Sequence, residues 1–190
     1  MSTLVFFLEE PSAKEMLQGV IPRIIPEGIT VRYVPFEGKQ DMNRQLERKL
    51  RGWLTPDTCF IVLRDQDSSD CLQIKQELGG ICTRAGRPDA LVRIACHEIE
   101  SFYLGDLFAV EQGLALQGIA AKQESRKFRA PDRLNNAAQE LFLVTGKRYS
   151  KIAGSRDIGP HLSVDGSNRS HSFNVLIAGI QKMTSELMAA

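Results

Sequence analysis

Apolar positions fall into short runs separated by stretches with helical spacing, and this alternation predicts an α/β domain built on a mostly parallel sheet. Leu4 to Leu8 is a continuous apolar run of strand length, suited to the centre of a sheet covered on both faces. Ser12 can cap a helix through Lys14, Met16, Leu17 and Val20, which Pro22 should end or kink. Ile29 to Phe36, rich in β-branched and aromatic residues, predicts a second strand, closed by a turn at Glu37-Gly38-Lys39. From Asp41 onward, Met42, Leu46, Leu50, Trp53 and Leu54 mark the apolar face of an amphipathic helix, with Arg44, Glu47, Arg48 and Arg51 on its other faces. Thr58 to Leu63 predicts a third strand, stopped by the polar run Arg64 to Asp70. A helix with Leu72 and Leu78 follows, and Gly79-Gly80 should weaken or end it. Ala90 to Ala95 predicts the fourth strand, and the spacing from His97 to Leu104 suits a helix start. Beyond Gly118 the pattern is less regular, with helical periodicity at Pro131 to Val144 and at Ser172 to Leu187. The expectation is a four-stranded sheet flanked by helices, with a mainly helical elaboration at the C-terminal end.

The length, 190 residues, fits one compact core at roughly 150 residues per domain. Residues 1–121 form the α/β core in this reading, and residues 122–190 a basic, mainly helical extension packed on the same domain. No apolar run approaches the roughly 20 residues that span a bilayer, so no membrane partner is expected. The opening MSTLVFFLEEPS lacks a basic leader and reads as a first strand rather than a signal peptide. Cys59, Cys71, Cys82 and Cys96 have no CxxC spacing, which favours a reduced, cytoplasmic protein. The three histidines, His97, His161 and His171, form neither HxH nor HExxH, which argues against zinc.

Acidic residues directly after strands change the picture, because ligands of parallel α/β sheets gather beyond the carboxyl ends of the strands. Glu9 and Glu10 follow the first strand, Asp65 and Asp67 the third, Glu98 and Glu100 the fourth. In an extended backbone Asp65 and Asp67 point to one side, roughly 6 to 7 Å apart. Two unit charges about 4 Å apart repel by roughly 4 kcal/mol at an effective dielectric near 20, so such a cluster calls for a cation. Oxygen ligands point to Mg²⁺ or Mn²⁺. The competing explanation is that each acid caps the following helix. Glu98 and Glu100 lie on opposed faces of a helix. Glu100, sharing a face with His97, Ser101 and Leu104, is the chosen ligand, and Glu98 is its substitute.

Charge then separates along the chain. The whole carries 24 Lys+Arg against 23 Asp+Glu, a net of +1 that by itself implies no polyanion partner. Residues 1–121 hold 13 basic and 17 acidic side chains, whereas residues 122–171 hold 10 and 5. An acidic sheet end beside a basic segment from Lys122 to Arg169 suits a metal next to a phosphate backbone.

Several stretches resemble known families. FFLEEPSAKEML resembles the first strand, glutamate and helix of TOPRIM domains, FIVLRDQDSSD their strand ending in an Asp-x-Asp pair, and HEIESFYLGD the later glutamate motif of TOPRIM nucleases that act beside ATPases in phage defence. The longer pattern EEPS, FEGKQD, DQD, IESFYLGD, YSKI and NRSHSF is similar, over nearly the whole chain, to the bacterial domain-of-unknown-function family 4276, which is TOPRIM-like. The resemblance implies a Rossmann-like TOPRIM fold, with Glu9 as the family's glutamate and Asp65 and Asp67 as its metal pair. Glu10 stands where many members have Gly, so either glutamate could face the site. TOPRIM proteins include topoisomerases, primases and nucleases. The chain carries neither a strand-passage domain with its tyrosine nor a zinc-binding primase module, which leaves a metal-dependent phosphodiesterase acting on DNA or RNA.

In that mechanism Glu9, Asp65, Asp67 and Glu100 hold one or two Mg²⁺ ions, and Lys151, in YSKI, balances the charge on the transition-state oxygens. Related nucleases also use a lysine in this role. Arg156, His161, Arg169 and His171 either line a substrate groove or cap the loop that holds them. The resemblance further implies an AAA- or ABC-type ATPase encoded nearby as partner, since no GxxxxGK[ST] occurs here, and an effector role in anti-phage defence. Two alternatives remain: a non-catalytic module binding a metal or nucleotide and regulating that ATPase, and a phosphohydrolase of small phosphorylated molecules. DNA or RNA, and oligomeric state, are left open.

Overall fold

The computed structural model describes residues 2–189. Its elements, in chain order, are β1 (Thr3–Leu8), α1 (Pro11–Val20), β2 (Thr30–Pro35), α2 (Lys39–Arg51), β3 (Thr58–Asp65), α3 (Cys71–Arg84), β4 (Leu91–Ala95), α4 (Glu100–Leu104), α5 (Leu107–Gly113), α6 (Ala137–Val144), α7 (Lys151–Ile158) and α8 (His171–Ala189). The four strands form one sheet in the order β2-β1-β3-β4, every pair parallel. The expected α/β, Rossmann-like fold is the one found. No helix among the described residues is long and apolar enough to cross a membrane.

The period of two along each strand divides the interior into two cores. Leu4, Phe6 and Leu8 of β1 and Ile61 and Leu63 of β3 point into the larger core, shared with α1 and with α4 to α8. Val5, Phe7, Phe60 and Val62 point the other way, onto Met42, Leu46 and Leu50 of α2 and Ile74 and Leu78 of α3. β1 is buried along its whole length, as its unbroken apolar run requires. The edge strand β2 is only half-buried, while α8 packs on β4 and accepts a bond from Arg93 Nε at Val175 O (3.3 Å).

Several local expectations are corrected. α1 starts at Pro11, a residue already fixed near helical φ, so Glu10 rather than Ser12 occupies the cap position; the Ser12 hydroxyl is buried and donates to Glu10 Oε2 at 3.3 Å. α2 ends at Arg51, and Leu54 is 89% exposed; Trp53 is held off the helix by edge-on packing against Phe7 and Phe60. β3 runs two residues further than expected, to Asp65. α3 continues through Gly79-Gly80 because Ile74, Leu78 and Cys82 bury one face, which outweighs a glycine cost of about 1 kcal/mol each. His97 stands outside any helix, and Pro131–Val144 splits into a short turn at Pro131–Arg133 and α6.

The C-terminal segment is fixed to the sheet by a close helix contact. A Cβ on Gly159, just after α7, would lie 2.5 Å from Met16 O of α1, and one on Gly19 of α1 would lie 2.5 Å from Pro160 N. Only hydrogen fits between the two backbones. Gly159→Ala is therefore expected to lower stability by about 1–3 kcal/mol, the cost of forcing extra volume into a packed contact. An unchanged urea midpoint would show that the two helices can separate freely.

Candidate functional site

The chain leaves β1 toward β2 on one side and reaches β4 from β3 on the other, so the carboxyl ends of β1 and β3 form the switch point at which such sheets hold ligands. Glu9 follows β1 directly, its N–H still bonded to Leu63 O (3.2 Å). Its carboxylate accepts the N–H of Asp65 at 3.1 Å and lies 3.7 Å from Arg64 Nε. Glu9 and Asp65 are each 7% exposed. The turn after β4 delivers Glu100, 1% exposed, whose Oε1 accepts the Tyr149 hydroxyl at 2.9 Å; its Oε2 is buried with no hydrogen-bond partner. Lys151, first residue of α7, pairs with Glu10 at 2.5 Å. A cleft of about 10 Å³, room for one water-sized occupant, opens between Glu9, Glu10, Arg64 and Asp65.

The Lys151–Glu10 pair depends on the α1–α7 contact, since Glu10 sits at the start of α1 and Lys151 at the start of α7. The Tyr149 ring lies over Gly154, where a Cβ would come within 2.5 Å of Cδ2. Glycine at 154 thus permits the ring position from which the hydroxyl reaches Glu100.

The electrostatics follow from burial and crowding. Burial pushes the Asp65 carboxyl well above its ordinary range, and the charges of Glu100, Glu9 and Glu10 push it further, against the pull of Lys151. Burial also raises Glu100, opposed by Lys151 and by the Tyr149 bond. Glu9 is raised by burial against the Asp65 N–H, with Asp67 adding to the rise and Arg64 opposing it. Burial would lower Lys151, but the bond to Glu10 and the charges of Glu100 and Asp65 leave it raised. One ammonium therefore serves several acids, and without a further cation the buried carboxyls are held toward their protonated forms.

Glu9, Glu10, Asp65, Glu100 and Lys151 thus come together. Asp67 stands apart from the extended pair expected with Asp65. Its backbone is left-handed (φ 54°), its N–H donates to His97 O at 2.8 Å, and its carboxylate pairs with Lys39 at 2.9 Å. His97, also left-handed (φ 57°), completes this lock through Gln66 Oε1. Glu98 is engaged elsewhere, accepting the N–H of Ala138 at 2.7 Å at the start of α6. Arg156 pairs with Glu15 at 2.6 Å and Arg169 with Glu124, while His161 and His171 are exposed. Arg64 and Tyr149 belong to the site but were not marked by the sequence pattern, nor was Lys39, which pairs with Asp67. Arg64 had one signal, a charged residue whose alternation points it inward, where it donates to Asn43 at 3.1 Å.

Among the described residues no three His, Cys, Asp or Glu side chains converge tightly enough to grip an ion. Arg64, Lys151 and Lys39 instead share out the neutralisation of Glu9, Glu10 and Asp67. The donor set nevertheless fits a hard divalent cation in kind: it is all oxygen, its charge is incompletely balanced, and Glu100 Oε2 lacks the partner that a buried oxygen requires.

A family model described as a domain of unknown function, DUF4276, matches residues 8–181. No curated protein and no solved structure matches the chain.

The raised carboxyls carry a sign that can be checked. In the fold Asp65 keeps its proton through a pH window in which the unfolded chain has lost it, so stability falls as pH rises from the ordinary carboxyl value through the folded one. Without divalent cations, Asp65→Asn is expected to be more stable than the parent at neutral pH, with the gain disappearing at about pH 3, below the ordinary carboxyl value, where folded and unfolded chains both bind the proton. Urea unfolding at the two pH values measures it, and an equal gain at both would remove titration as the cause.

Proposed function

The chain belongs to the DUF4276 family, and on that footing we propose that it is a TOPRIM-type phosphodiesterase, dependent on Mg²⁺ or Mn²⁺, that cleaves DNA or RNA. The observation that carries this is the buried acid pair Asp65 and Glu100 at the ends of adjacent strands, with a Glu100 oxygen left unpartnered beside a lysine. Burying acids that can ionise only with difficulty costs stability, and the cost is reasonable at a site where a cation would stabilise their charged forms.

Glu9, Asp65 and Glu100, with Glu10, are the residues that would hold the ion. With it bound, the site gains a Lewis acid for a phosphate oxygen and a water of lowered pKa. The chain's own groups do the rest. Lys151, kept protonated by its acidic neighbours, offers positive charge to a phosphate oxygen as negative charge grows on it. Tyr149 fixes the orientation of Glu100, and the Asp65 N–H together with Arg64 fixes that of Glu9. Asp67, half-buried and tied to Lys39 by a surface ion pair worth little, is free to join when the cluster is occupied. The proposed setting is an anti-phage effector partnered by an AAA- or ABC-type ATPase.

One observation favours a second reading, a non-catalytic module that binds a metal or nucleotide and regulates such an ATPase: no three acids converge as they stand. The two readings part on turnover. Cleavage of a labelled DNA or RNA strand in Mn²⁺ is expected to drop by about 10²-fold or more in Asp65→Ala, and Glu100→Gln is expected to weaken Mn²⁺ binding in calorimetry. Cleavage that survives Asp65→Ala would remove the nuclease reading. Metal binding with no turnover on any polynucleotide would leave the second.

A further inference from the structure

Four of the ten basic residues in 122–171, Lys122, Arg126, Lys127 and Arg133, line one surface. Two open depressions, of about 440 and 540 Å³, meet at Lys127, which lines both. Their floor is apolar, from Leu134, Leu143, Val144 and Ala130, and Leu143 is 53% exposed. Their rim is cationic, from Lys122, Arg126, Lys127 and Arg133. The one acid in the lining, Glu140, is already paired with Lys127 at 2.9 Å. Among the described residues no ion pair reaches Lys122, Arg126 or Arg133, in contrast to Arg44, Arg51, Arg84, Arg156 and Arg169.

This groove is tied to the carboxylate site. Its α6 wall begins at the Ala138 N–H held by Glu98, two residues before Glu100. Its other wall carries Asp132, which accepts the N–H of Ser172 at 2.8 Å, and the Ser172 hydroxyl in turn accepts the N–H of Cys96 at the end of β4 at 3.3 Å. The segment that delivers Glu100 therefore also seats both walls.

We infer that this groove binds single-stranded DNA, with phosphates on the cationic rim and unpaired bases against the apolar floor. The inference rests on the proposal that the carboxylate site acts on a polynucleotide, and it names which kind and where it lies. A duplex hides its base faces and could use only the rim, whereas a single strand can satisfy rim and floor together. Ser125 is the sole neutral polar side chain in the lining, so the 2′-hydroxyls of RNA would meet apolar surface and lose water without a replacement partner.

The test is fluorescence anisotropy of the full chain with labelled oligonucleotides in EDTA, which stops metal-dependent cleavage, over a series of salt concentrations. Single-stranded DNA is expected to bind with a log–log salt slope of about 2, for three cations on a single strand. Arg126→Gln with Arg133→Gln is expected to weaken binding on the order of tenfold and to lower the slope by about 1.4. Arg44→Gln with Arg48→Gln, on α2 across the sheet, should leave it unchanged. The inference is overturned if the groove variant binds like the parent, if duplex DNA or RNA of the same sequence binds as tightly, or if no oligonucleotide binds. The nuclease reading fails separately: a strand held by the groove but left intact when Mn²⁺ is restored would remove catalysis and keep the groove, while cleavage unaffected by the groove variant would do the reverse.

Discussion

The parallel ladder between β1 and β3 is the constraint on which the rest of the molecule depends. From Thr3 opposite Thr58 to Leu8 opposite Leu63, these two strands are joined in register over six pairs. Their apolar side chains alternate into two separate cores. Because the connections leave this pair in opposite directions, the backbone beyond Leu8 and Leu63 opens into a crevice that no connection crosses. Glu9 and Asp65 stand on either side of it and are bonded to each other through the Asp65 N–H. The site is a consequence of the ladder's ending, and the helices arrange themselves around it.

What the helices add is unequal compensation. Lys151 and Arg64 each lie near the acids, yet Arg64 approaches Glu9 only at 3.7 Å and Lys151 is shared among Glu10, Glu100 and Asp65. A fold optimised for stability alone would replace such a cluster with apolar residues, since buried charges cost several kcal/mol when imperfectly paired. Here Asp65 and Glu100 are retained at the cost of being hard to ionise, and Tyr149 orients Glu100 without satisfying its second oxygen.

The strands and the acids at their ends were legible in the sequence because both are local signals: an unbroken apolar run for β1, and a carboxylate immediately after it. The geometry of Asp67 was not, because its left-handed turn is set by Asp67 N–H to His97 O and His97 N–H to Gln66, bonds between turns some 30 positions apart. The same holds for Glu10 and Lys151, far apart in sequence and joined by the contact of α1 with α7. Choosing between Glu98 and Glu100 by helical face reached Glu100 through a helix that does not include His97. What separates the two acids in the fold is the free N–H at Ala138, a partner that local periodicity cannot reveal. Gly79-Gly80 misled for the opposite reason, since burial of Ile74, Leu78 and Cys82 overrode local preference.

Tyr149, lying on Gly154, engages one oxygen of Glu100 and leaves the other bare. The two lobes of that carboxylate are therefore chemically distinct before any ligand arrives. Under the proposed reading Glu100 can offer a single-pronged grip. That suits a small octahedral ion that retains part of its hydration shell, and disfavours a larger one such as Ca²⁺, which often gathers acids two oxygens at a time. Selection between ions would then lie with a phenol on the far side of the acid, at a residue that touches no ion.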